Sequence, residues 1–180
     1  VLKTNGIAMV MAMNEGWVMV APRYDWCDGG FGLGADDLVD PEHHWGYVHT
    51  ADVLDFVLGG HAGFEHSGKL LGWGNSMGGS TALVTAARYP GFTGIVLDSA
   101  PSSMFEYWSQ AYFDDDQAIT EHVFGGPPYD DEGQPTEFWD AYAAASGETL
   151  VAQGELTTPV LDLWNDQDRL ALAIHGQTLD

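Results

Sequence analysis

Six residues, Gly74-Asn75-Ser76-Met77-Gly78-Gly79, carry the pattern in this chain best suited to chemistry. A short apolar run, Leu70-Leu71-Gly72-Trp73, leads into them, and a helix-forming stretch, Thr81 to Tyr89, follows. Gly-x-Ser-x-Gly between a strand and a helix makes a very tight turn. The serine takes a strained backbone conformation, and its hydroxyl stands clear of the sheet. A side chain two residues to either side would collide with the adjacent strand or helix, which suits Gly74 and Gly78 to their places. Ser76 then lies at a helix N-terminus, with the backbone N–H of Met77 directed at any oxyanion formed there. The chemistry implied is nucleophilic attack, with Ser76 as nucleophile and Met77 as oxyanion donor. A phosphate loop is the other glycine-rich option. Gly74 to Ser80 has its glycine spacing, but Ser80 stands where the lysine belongs.

The elements that must position this turn follow from hydrophobic patterning. Asn5 to Asn14 reads as a mostly apolar helix (Ile7, Ala8, Val10, Met11, Met13) stopped by Gly16. Trp17-Val18-Met19-Val20-Ala21 is a continuous apolar run, expected as a strand buried on both faces. Arg23 to Gly34 is a Gly- and Asp-rich loop at the carboxyl edge of the sheet, where Tyr24 and Trp26 are candidates for the pocket wall. Tyr47 to Leu58 reads as an amphipathic helix closed by Gly59-Gly60. Phe92 to Leu97 and Pro159 to Trp164 are further strands, and Leu170 to Thr178 reads as a helix.

The stretch 102–158 breaks this rhythm. It is rich in aromatic residues and holds two acidic runs, Asp114-Asp115-Asp116 and Asp130-Asp131-Glu132. An insertion of this length and composition suits a lid or cap; ordinary packing at the sheet edge is the alternative. The acidic runs lack calcium-loop spacing. His43, His44 and His49 lack the spacing of a metal site, so no metal and no cofactor is expected.

The chain has 180 residues, enough for one domain with a sizeable core. It carries 27 acidic residues against 5 basic ones, a formal charge of −22. Such a surface repels nucleic acid and anionic membranes; it resembles proteins adapted to high salt, with an acidic mesophilic protein as the alternative. No segment is apolar for the length of a membrane span. Cys27 is the only cysteine, which excludes an internal disulfide and leans toward a reducing, cytoplasmic setting.

Strand, serine turn and a late acidic turn, in that order, resemble the α/β-hydrolase superfamily over nearly the whole chain. Gly74 to Gly79 looks like the superfamily's nucleophile elbow. Thr158-Pro159-Val160-Leu161 to Asp168 resembles the late strand and turn whose final aspartate orients the catalytic histidine. Asp28-Gly29-Gly30-Phe31-Gly32 and Phe124-Gly125-Gly126-Pro127-Pro128 look closest to the prolyl oligopeptidase and dienelactone hydrolase branches. The resemblance implies an α/β fold. It would be a mostly parallel, doubly wound sheet in one domain over 1–180, with 102–158 as a helical cap-like insertion.

By this match Asp168 is the acid, with Asp166 and Asp98 as alternatives. Only His175 follows Asp168, inside the expected helix and too close in sequence to swing back onto Ser76. Trp164-Asn165 replaces the His-Gly usual before the acidic turn, and the strand whose loop gives a second oxyanion donor is not recognised. The expectation is a hydrolase truncated at both ends. The function implied is hydrolysis of a neutral or cationic carboxylic ester or amide through an acyl-enzyme on Ser76. A serine peptidase is the second choice, and a catalytically inactive fold that binds a ligand or partner is the third.

Overall fold

The computed structural model describes residues 14–21, 45–110 and 114–163. In chain order the elements are α1 (Trp45–Leu58), β1 (Leu70–Asn75), α2 (Met77–Arg88), β2 (Phe92–Asp98), α3 (Met104–Ser109), α4 (Asp114–Phe124), α5 (Trp139–Ala144), α6 (Gly147–Ala152) and β3 (Val160–Leu163). The three strands form one parallel sheet in the order β1-β2-β3. The fold is therefore α/β.

Each step from strand to strand runs in the same direction across the sheet, so right-handed crossovers place their helices on one face. That face carries Gly72 and Gly74 of β1, Ile95 and Leu97 of β2, and Val160 and Asp162 of β3, which are register partners. Leu83, Val84 and Ala86 of α2 and Leu150 of α6 bury it together with Ala100 and Leu156. Helix α1 joins the same layer: Tyr47 packs against this core, and the Arg88 guanidinium lies 5.8 Å from its ring centroid. The Tyr89 hydroxyl donates to Asp55 Oδ1 at 2.6 Å, which with partial burial pushes the phenol up to about 12.

The opposite face is open among the described residues. Leu71 and Trp73 of β1 and Leu161 and Leu163 of β3 are exposed there, Leu161 at 56%. Trp17 to Ala21 is not a buried strand, contrary to the sequence expectation. It pairs with no strand among the described residues, and all its side chains are exposed, Trp17 at 53%. An apolar run supplies the side chains of a buried strand but not the ladder partner, and the partner decides. Gly16 does have the expected stop geometry, at φ 70, after helical Asn14 and Glu15; the rest of the expected 5–14 helix lies outside the described residues. The expected 170–178 helix also lies outside them.

The 102–158 stretch supplies helices α3 to α6 and a core of its own. Met104, Val123, Phe124, Tyr142 and Ala145 are buried, with Phe105, Trp108 and Phe138 packed around them. The Tyr142 ring lies 4.3 Å from that of Phe124 and its hydroxyl donates to Gly126 O. Burial pushes that phenol well above its ordinary range. Gly126 is glycine because a Cβ there would lie 2.3 Å from the Phe138 ring. The Asp130 acidic run builds a turn: Asp130 Oδ1 accepts from Glu132 N–H and Gln134 N–H at 3.1 and 2.7 Å.

Both ends of this helical unit meet in one polar junction. Ser103 caps α3 by accepting from Glu106 N–H, and its hydroxyl donates to Glu148 Oε1 on α6. Ser146 Oγ accepts from Met104 N–H at 2.9 Å, and Gly147 N–H donates to Ser102 O at 2.6 Å. The first turns of α3 and α6 thus satisfy each other's free N–H groups. Glu148 Oε2 is buried there, with no hydrogen bond among the described residues. Burial pushes the carboxyl up and Glu106 adds to the rise; the Ser103 hydroxyl and the Glu148 amide act against them.

A carboxyl raised in the folded state holds its proton more tightly there than in the unfolded chain. Its stabilising contribution is complete below the ordinary value of 4.5 and is lost as pH rises through the folded value. Urea midpoints of the wild-type chain should therefore fall with rising pH across this window by more than those of Glu148→Gln. Parallel pH dependences for the two would show that Glu148 is not the group responsible.

Candidate active site at the carboxyl edge of the sheet

The turn between β1 and α2 is built by backbone crowding. A Cβ on Gly74 would lie 2.1 Å from Gly78 O and 2.5 Å from Gly79 N. A Cβ on Gly79 would lie 2.3 Å from the Ala100 methyl. Strand end and helix start therefore pass at main-chain contact, and Ser76 alone absorbs the reversal, at φ 53 and ψ −128. This region is costly for any residue with a Cβ, by about 1–3 kcal/mol. It persists because its neighbours hold it: Ser76 N–H donates to Asp98 O at 2.9 Å, and Ser76 O accepts from Gly79 N–H at 2.8 Å. Asn75 Nδ2 reaches the same Asp98 carbonyl at 3.0 Å.

Ser76 is half-buried, and among the described residues no hydrogen bond engages its hydroxyl. Met77 is the first residue of α2, so its N–H belongs to the turn that has no preceding helical carbonyl to bond. Ser76 and the Met77 amide, adjacent in the chain, thus lie at the start of α2. Ser80, at the position where a phosphate loop has its lysine, is buried and donates to Pro101 O at 2.6 Å, pinning the α2 start to the segment after β2. Ser76 N–H, committed to Asp98, is also not free for a phosphate.

The other expected site residues, Asp168, His175, Tyr24 and Trp26, lie outside the described residues. Among described histidines, His61 and His66 occupy the connector into the opposite end of β1, and His122 is exposed on α4. His61 stands 5.7 Å from the Phe56 ring, and His66 Nδ1 accepts from Gly68 N–H at 3.2 Å. No group of three or more His, Cys, Asp or Glu among the described residues is arranged to hold a metal ion. No described helix is long and apolar enough to cross a membrane.

One feature of this edge gave no signal in the sequence. Ser99, the residue after β2, also has a left-handed backbone, at φ 50, and its N–H donates to Leu163 O at 2.8 Å. Asp98-Ser99-Ala100-Pro101 reads in sequence as a plain exit from a strand, because no glycine marks the bend. Comparison with family models, with curated proteins and with solved structures finds no match to this chain.

The backbone geometry has an energetic signature. Ser76→Gly should stabilise the fold by about 1 kcal/mol, because glycine adopts this φ without penalty. Gly74→Ala should destabilise it by about 3 kcal/mol, because its Cβ meets backbone that cannot yield. Thermal unfolding of the two variants measures both; a Ser76→Gly protein no more stable than wild type would show that the turn is unstrained.

Proposed function

We propose that the chain is a serine hydrolase of the α/β-hydrolase type that cleaves a carboxylic ester through an acyl-enzyme on Ser76. The observation that carries this reading is the strained serine between a parallel strand and a helix N-terminus, held there by glycine contacts. A backbone this costly is kept where it presents a group for work. Only the α/β class and the three parallel strands stand independently of this reading; the doubly wound hydrolase arrangement belongs to it.

In this mechanism Ser76 Oγ attacks the ester carbonyl while a histidine takes its proton. Asp168 holds that histidine in the required tautomer, and His175 follows Asp168 in the chain. The Met77 N–H stabilises the tetrahedral oxyanion, a contribution of about 3–4 kcal/mol per donor. The histidine returns the proton to the departing alcohol. Water, activated by the same base, then attacks the acyl-enzyme and releases the acid and Ser76. With 27 acidic residues and 5 basic ones the surface repels anions, so neutral or cationic substrates are favoured.

A non-catalytic binding role is the second reading, because Trp164-Asn165 replaces the His-Gly usual before the acidic turn and His175 stands only seven residues after Asp168. An alkyl fluorophosphonate probe separates the two. Covalent labelling should map to the Ser76 peptide by mass spectrometry and vanish in Ser76→Ala. A folded wild-type chain that stays unlabelled would sink the hydrolase reading and leave the binding role.

A further inference from the structure

Ser76 and Ser99 occupy equivalent places on neighbouring strands. Asn75 and Asp98 are register partners at the ends of β1 and β2, and each serine is the next residue. Each donates its N–H to the adjacent strand end, Ser76 to Asp98 and Ser99 to Leu163. These two are the non-glycine residues with positive φ among those described, at 53 and 50. Adjacent parallel strands run about 5 Å apart, so the two backbones are separated by a span that one substrate group covers.

Glycine would make the bend at 99 without strain, so the bend does not explain a serine. Other serines of this region have structural work: Ser80, Ser103 and Ser146 all bond through their hydroxyls. Among the described residues nothing engages the Ser99 hydroxyl, and its oxygen is not one of the buried unpartnered atoms. A hydroxyl that is accessible, uncommitted and held at a cost beside the nucleophile is placed for a ligand.

We propose that Ser99 is a substrate-contacting residue whose hydroxyl hydrogen-bonds a polar group flanking the scissile carbonyl. The substrate class this selects is an acyl compound with an amide or carbonyl within a few atoms of the reacting carbon, such as an N-acylated amino ester, over a plain aliphatic ester. The inference rests on the reading of Ser76 as nucleophile.

The test uses two phosphonylating probes on the full chain, one with a plain alkyl chain and one with an amide beside the phosphorus. In Ser99→Ala the alkyl probe should label Ser76 at the wild-type rate and the amide probe about tenfold more slowly, the effect of one lost hydrogen bond. Ser99→Gly should show the same selectivity with a Tm about 3 °C higher, and it serves if the alanine variant folds poorly. Equal rates with both probes in both variants, or equal slowing of both, overturn the role of Ser99 while leaving the nucleophile intact. Failure of both probes to label the folded wild-type chain overturns both readings, and labelling by the alkyl probe alone overturns the role of Ser99.

Discussion

Main-chain contact between Gly74 and the Gly78-Gly79 pair is the constraint on which the described structure turns. There is no room for a Cβ between strand end and helix start. The reversal must then be made within one residue, and Ser76 carries it. Two further contacts close the same knot from the other side. Ala100 fills the space above Gly79, and Pro101 accepts the Ser80 hydroxyl. The end of β2 is therefore fitted to the bend after β1, and the strained serines at 76 and 99 follow from one arrangement of three strand ends.

The layers around this knot are unequal. One face of the sheet is packed by α1, α2 and α6, while the other shows leucines and a tryptophan to solvent among the described residues. A parallel sheet is ordinarily covered on both faces. Crossovers of one hand between strands laid down in one direction place their helices on one face, and the other face stays open among the described residues. With so few cations, polar ordering falls to hydroxyls and backbone amides. Arg88 serves both over the Tyr47 ring and on Ala144 O.

Much of this was legible in the sequence where spacing and residue type both constrain the backbone. Gly74, Ser76 and Gly78 between an apolar run and an alanine-rich stretch specify strand, bend and helix, and those three elements stand where the pattern puts them. The helix closed by Gly59-Gly60 and the strands at 92–98 and 160–163 were readable for the same reason. Trp17 to Ala21 was misread because hydrophobicity reports a wish for burial and says nothing of hydrogen-bond partners. Ser99 gives no sequence signal because no glycine marks the bend and the bond its N–H makes is to Leu163, far away in sequence. Glu148 carries no sequence signal, because a single glutamate in an acidic chain looks like surface and its partner Ser103 is distant in sequence.

The junction of Ser102, Ser103, Ser146 and Gly147 has an evolutionary corollary. A helical unit with its own apolar centre departs from the sheet and rejoins it at this set of bonds, with Arg88 of α2 holding Ala144 O beside it. Such a unit can be lengthened, shortened or exchanged for another as a cassette, provided the two splice points keep their serines. Descendants of this chain would then diversify by swapping helices α3 to α5, while the strands remain unaltered.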